Sequence, residues 1–193
     1  MTYAELQAAV LGLGYNFFDQ GAYNLNIVGV RTDDDAANTF NDWMYLAFRD
    51  RSGEPHCLAF PITTDPGVDY RLNPLNPAGA GIIVPGQHRG LWRLGFHKGS
   101  VALVQRKPVA VYRDNNRDSI LDQDPSSVEI IMGGFNCHKA NAHGTSKLVG
   151  KWSAGCQVFA NSFEHNILLQ LCELSAGLYG DSFTYTLLTE AQI

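Results

Sequence analysis

No run of basic residues occurs anywhere in the chain, and its net charge is −5 with histidine neutral. Nucleic-acid binding draws on clustered Lys and Arg set against phosphates, so that class of partner is not expected. No stretch approaches the roughly 18–20 uninterrupted apolar residues of a membrane-spanning helix. The first residues, MTYAELQAAVLGLGYNFFDQ, lack a basic leading region, and Glu5 and Gln7 interrupt the apolar run, so no secretory signal peptide is predicted. The four cysteines, Cys57, Cys137, Cys156 and Cys172, contain no CxxC pair, which argues against zinc and thioredoxin-like chemistry. There is also no HExxH, no glycine-rich phosphate loop and no paired-carboxylate motif. Zinc proteases, NTPases and glycosidases are therefore unsupported.

What is present is globular. A hydrophobic share of 45% and a charged share of 17% exclude disorder as the default state, and 193 residues suit one domain, 1–193, that buries its own core. Abundant glycine and aromatic residues favour a turn-rich β protein over a helical bundle. Residues 3–13 carry apolar positions at Leu6, Ala9, Val10 and Leu13, which predicts a helix within an N-terminal extension, 1–20. Strands are expected at 23–31, 43–49, 57–63, 91–96, 101–105, 109–112, 128–131 and 183–188. Between the first two, residues 33–42 read as a polar connection holding at most one helical turn. Residues 65–90 are rich in Pro and Gly, and a loop this long in a compact domain points to the lining of a site. A helix over 162–178 follows from Phe163, Ile167, Leu168, Leu171, Leu174 and Leu178, with Asn161 or Ser162 as N-cap and Gly180 as stop. The expected architecture is mainly β (α+β), a sandwich or partly closed barrel with a few peripheral helices.

The chemistry concentrates between Gly133 and Ala160, GGFNCHKANAHGTSKLVGKWSAGCQVFA. A cysteine nucleophile reacts as thiolate, and a neighbouring imidazole can take its proton. Glycine beside it lets a carbonyl approach backbone N–H donors. Cys156 and Gly155 meet these needs, and His138 lies at the end of an apolar-polar alternation, where a strand end would face the cysteine. His143 is the alternative base, but its surroundings read as a polar loop. Ser153 either shapes the turn or hydrogen-bonds near the sulfur. Trp152 offers an aromatic wall or simple packing. Cys57 and Cys172 sit in apolar runs and read as buried small hydrophobes, while His56, His97 and His165 read as surface or packing residues.

Fourteen residues separate His138 from Ser153-Ala154-Gly155-Cys156, and this motif resembles the YkuD-type L,D-transpeptidase signature: a histidine, a spacer, then Ser/Thr-His-Gly-Cys. Two positions depart from it. Ala154 replaces the usual histidine, and Gln157-Val158 replace an apolar residue followed by Arg or Asn. The branch it is most similar to is that of phage-borne or secreted lytic proteins. The resemblance implies a cysteine peptidase or acyltransferase that forms a thioester with peptidoglycan stem peptides, with no cofactor. Cleavage of L,D bonds, as an L,D-carboxypeptidase or endopeptidase, is favoured over L,D-transpeptidase crosslinking because no export signal or anchor is seen. A cell-wall binding module without chemistry is the third reading. The enzyme would be made in the cytoplasm and delivered to the wall or periplasm. Substrate-contacting candidates are Trp152, Gln157, His88 and Arg89, the last as a substitute for the missing arginine.

One further motif stands apart. Asp114, Asn116, Asp118 and Asp122 occupy positions 1, 3, 5 and 9 of a loop with EF-hand-like or dockerin-like calcium spacing. Ser119 stands at the glycine position and Pro125 at the bidentate glutamate position. A solvated acidic turn is therefore the preferred reading, with a weak structural Ca²⁺ site as the alternative.

Overall fold

A computed structural model describes residues 1–34 and 38–193. Eight strands close into a barrel, and three more form a small sheet beside it. In chain order the elements are α1 (Tyr3–Gly12), β1 (Asn26–Arg31), β2 (Asp42–Arg49), β3 (Pro55–Thr63), α2 (Val68–Leu72), β4 (Ala80–Ile83) and β5 (Gly86–His97). There follow β6 (Ser100–Gln105), β7 (Val109–Asp114), β8 (Glu129–Ile131), β9 (Cys137–Lys139), β10 (Gln157–Phe159), α3 (Ser162–Tyr179) and β11 (Phe183–Thr189). The barrel runs β1-β11-β5-β6-β9-β10-β3-β2, and the separate sheet runs β4-β7-β8. The mainly β expectation is met, with the barrel closed. No helix among the described residues is long and apolar enough to cross a membrane. The helical turn allowed for within 33–42 falls partly on residues 35–37, outside the described residues.

β1 shows why its sequence, NIVGVR, is apolar almost throughout: every residue in it is buried. Ile27 points into the barrel core with Met44, Leu46, Ile62 and Leu187. Val28 and Val30 point the other way, into a second cluster with Tyr3, Leu6 and Val10 of α1. A strand covered on both faces loses the usual alternation of apolar and polar residues. The capping box of Thr2 and Glu5 satisfies the start of α1, and Leu6 and Val10 are fully buried. Each such side chain contributes about 1.5–3 kcal/mol of transfer free energy.

α3 begins as the sequence predicts, with the Asn161 side chain accepting from the Phe163 and Glu164 N–H groups, and ends at Gly180. Its Leu168, Leu171 and Cys172 join the barrel core. The long Pro/Gly-rich stretch differs from expectation. It holds α2, β4 and the start of β5, because its short apolar runs find partners far away in sequence: Ile82 pairs with Tyr112 and Gln87 with Thr186.

Candidate active site

Parallel pairing of β9 with β10 sets Cys137 opposite Gln157 and His138 opposite Val158. Side chains alternate along a strand, so Cys137 and Gln157 face inward. Both are fully buried. The same alternation sends Asn136, His138 and Cys156 to the outer face. Cys156 and His138 therefore line one cavity of about 320 Å³, together with Tyr70, His97, Lys98 and Trp152. No hydrogen bond joins the thiol to the imidazole; Cys156 Sγ lies 3.5 Å from the Gly134 carbonyl oxygen.

The turn that delivers Cys156 is built by Ser153. This buried hydroxyl donates to the Cys156 carbonyl at 2.8 Å and accepts from the Gly155 N–H at 3.1 Å. Ser153 thus shapes the turn and does not touch the sulfur. Gly155 has φ +123°, and a Cβ there would run into the Gly81 carbonyl and the Phe135 ring. Only glycine fits both the left-handed backbone and the close approach.

The opposite wall is organised by Gln105, which the sequence reading passed over. Its Oε1 accepts from the N–H groups of Gly133, Gly134 and Phe135 at 3.1, 2.7 and 3.0 Å, while its Nε2 donates to the carbonyls of Lys107 and Ile131. Trp92 adds a bond from Nε1 to the Phe135 carbonyl at 2.8 Å. The glycine-rich wall next to the sulfur is held by these two side chains. From the other side, the Gly67 N–H donates to the Ser153 carbonyl, placing α2 and Tyr70 over the groove.

His97 corrects the expectation of a surface or packing residue. Lys98 and Gly99, with φ +48° and +79°, make the tight turn between β5 and β6 and return the chain so that His97 pairs with Ser100. The His97 ring stacks on His138 at 4.7 Å, and its Nδ1 is 3.0 Å from Asn136 Nδ2, which donates to it. His138 Nδ1 lies 2.9 Å from the Lys139 carbonyl. With Nδ1–H donating there, the free lone pair is on Nε2.

Burial pushes the Cys156 thiol up from its ordinary value, against the opposing pull of the Asn136 backbone N–H and the Lys98 charge. Burial also lowers the His138 imidazole to about 4, with His97 and Lys98 acting in the same direction. The resting pair is a neutral thiol beside a neutral imidazole.

The other sequence candidates are scattered. Gln157 is buried, accepting from the Tyr185 hydroxyl at 2.6 Å and donating to the Thr64 carbonyl, so it supports Cys156 from beneath and cannot reach a substrate. His88 bonds to the Val84 carbonyl and Arg89 lies over the Phe18 ring. Both sit near the start of β5, nine and eight residues from His97, roughly 26–30 Å along an extended strand. They do not border the Cys156 cavity. His143 is exposed in the loop after β9 and is likewise outside it. Trp152 is 43% exposed and forms an open wall of the groove, so it is not packed away. Cys57, Cys137, Cys156 and Cys172 are all free thiols; Cys172 is buried as expected, while Cys57 is only partly covered. His165 is buried in packing and His56 pairs with Asp50.

Two further cavities continue the groove. One, of about 270 Å³, shares Tyr70, Leu75, Phe135 and Ala154 with the central one and reaches Arg113. The other, also about 270 Å³, shares His97, Lys98, His138 and Trp152 and reaches Asn141. Cys156 stands in the middle of the three. Among the described residues no three His, Cys, Asp or Glu side chains are gathered to hold a metal. The chain matches no family model, no curated protein and no solved structure in the three comparisons made.

Proposed function

We propose that the protein is a cysteine-dependent acyl-transfer enzyme that cleaves an amide bond in an extended peptide, the stem peptide of bacterial peptidoglycan. The observation that carries this reading is Cys156, set midway along a continuous groove with His138 on the same face. The wall-peptide substrate and the L,D bond rest on the resemblance of the His138–Cys156 motif to the L,D-transpeptidase signature.

In the proposed cycle, a peptide lies along the groove and excludes water from the sulfur. The Cys156 thiol passes its proton to His138 Nε2 as Sγ attacks the carbonyl, forming the C–S bond. The Gly155 N–H is already taken by Ser153 Oγ, so the oxyanion falls to the Cys156 N–H. The imidazolium returns the proton to the departing amine as the C–N bond breaks, leaving a thioester. Water, activated by the same imidazole, then releases the acid. Lys98 and Lys151, at the rim of the central cavity, supply positive charge for a substrate carboxylate, the role expected earlier of Arg89.

The second reading, a groove that binds wall peptide without turnover, draws on the raised thiol and its lack of a hydrogen bond to His138. Product analysis separates the two. Purified protein is incubated with defined tetrapeptide and crosslinked muropeptides, with an amine acceptor present or absent, and products are identified by mass. Cleavage lost in Cys156→Ala and in His138→Ala but kept in His143→Ala is the expected result. Products joined to the added acceptor would indicate transpeptidation in place of hydrolysis. Tight peptide binding with no product from the wild type would overturn the enzyme reading in favour of the binding module.

A further inference from the structure

Between β7 and the 3-10 turn at Pro125–Ser127, the chain carries oxygen donors at alternate positions: Asp114, Asn116 and Asp118, then Asp122. Read from sequence, a solvated acidic turn explains this spacing well. The structure does not fit that explanation at one residue. Asp114 is 0% exposed, and neither of its carboxylate oxygens receives a hydrogen bond of normal geometry. A buried, unsatisfied carboxylate is costly, and protonation does not relieve the cost because a neutral carboxyl still needs partners. Such a group calls for an ion or another ligand.

Asp114 faces the rest of the loop. The charges of Asp118, Asp122 and Arg71 and the backbone N–H of Asp122 all act on its carboxylate. Across the loop, Asn116 Nδ2 donates to Asp118 Oδ2 at 2.9 Å and to Asp122 Oδ2 at 2.6 Å. A side-chain amide thus holds together two carboxylates that would otherwise repel each other. That NH₂ group stands where a cation would draw the same oxygens, and turning the amide over presents Oδ1 as a further donor. This explains why the carboxylates are not already gathered around a centre.

We propose that residues 114–122 form a calcium site, with Asp114, Asn116, Asp118 and Asp122 as side-chain ligands. Hard oxygen donors at relative positions 1, 3, 5 and 9 match the ligand order of known calcium loops, with the seventh position, Ile120, supplying its carbonyl. The site bears on the groove through Arg71, a buried residue of α2 whose Nη1 donates to the Ser119 carbonyl at 2.9 Å. Its neighbour Tyr70 borders the cavities on both sides of Ala154. Calcium in the loop fixes Ser119, and through Arg71 it stiffens α2.

The test uses the full chain after chelator treatment and does not depend on what Cys156 does. Thermal unfolding is followed in calcium, in magnesium and in chelator, and calcium is titrated calorimetrically. Calcium at about 100 times its dissociation constant raises the melting temperature by roughly 5–10 °C for a chain of this size, with one ion bound. Asp118→Asn and Asp122→Asn, at half-buried positions that tolerate an isosteric change, abolish the rise. Hydrogen exchange in calcium slows in 114–122 and in α2. Equal melting temperatures in calcium and chelator with no heat of binding overturn the site. A full calcium response in both variants overturns the ligand assignment, and an equal response to magnesium overturns the choice of metal. Protection confined to other parts of the chain overturns the link to α2.

Discussion

The imidazoles of His97 and His138 lie 4.7 Å apart, centroid to centroid, with their planes 27° from parallel. His97 reaches this place from the β5–β6 turn, and His138 from β9, whose Cys137 pairs with Leu103 of β6. One face of the His138 ring is therefore covered by a second ring, itself tied to Asn136, the backbone neighbour of the Cys156 region. The stacked pair limits how far His138 can rotate away from the groove.

His97 is accordingly a positioning residue for the proposed base. His97→Ala is expected to lower kcat/KM about tenfold, equivalent to ~1.4 kcal/mol of lost preorganisation. His97→Phe keeps the stacking and should recover most of that loss. Steady-state kinetics on a muropeptide substrate check this, and equal losses in the two variants would shift the role from stacking to the Asn136 hydrogen bond.

Burial lowers the His138 imidazole to about 4, and in the proposed enzyme that value would set the acid limb of activity. Profiles of kcat/KM against pH should rise through about pH 4 and run flat through 6.5, where an ordinary histidine would titrate. Stability follows the same residue. Its folded pKa lies below the unfolded value, so the unfolded chain takes up the proton first as pH falls. Stability is full above about pH 6.5 and is lost towards pH 4, on the order of 3 kcal/mol for this one histidine. Asp42, raised to about 6 chiefly by burial and then by Asp65, works in the opposite direction over a similar range. The comparison of wild type with His138→Gln isolates the histidine: urea midpoints at pH 7 and 4.5 should differ less in the variant.

Gly155→Ala places a methyl group against the Gly81 carbonyl at a φ that side chains rarely adopt. A loss of at least 2 kcal/mol in unfolding free energy is expected, about 1–3 of it from backbone strain. Activity should fall further than stability explains, because the turn carries Cys156. Denaturant unfolding read beside single-turnover kinetics measures both. A stable, fully active variant would contradict this view of the turn.

Gln105→Met keeps the length and removes the acceptor of three N–H groups and the donor to two carbonyls. Each buried group left unsatisfied costs about 1–3 kcal/mol. The wall from Ile131 to Phe135 is expected to loosen, seen as faster amide exchange there and a weaker KM for peptide. Unchanged exchange in that segment would remove Gln105 from the account of the groove.

How much of this was open to a reader of the chain alone depends on range. Helical periodicity and the Asn161 cap, the strand-forming runs at residues 43–49 and 101–105, and the glycine before Cys156 all express local rules that act within a few residues. The groove was legible only in part: the Pro/Gly-rich stretch 65–90, read as the lining of a site, contributes Tyr70, Leu75 and Gly81 to it. His97 looked like any surface histidine, Arg89 and Gln157 looked like substrate contacts, and Gln105 drew no notice at all.

Chain chemistry by itself determined a mainly β protein and singled out Cys156 and His138 as candidates. Only the closed barrel decided which side chains meet. The parity of the β9–β10 register turns Gln157 inward and Cys156 outward, strand length carries Arg89 far from the sulfur, and a two-residue turn folds His97 back onto His138. Partnerships of that kind arise from strand register and barrel closure, which join residues dozens of positions apart and leave no period in the sequence.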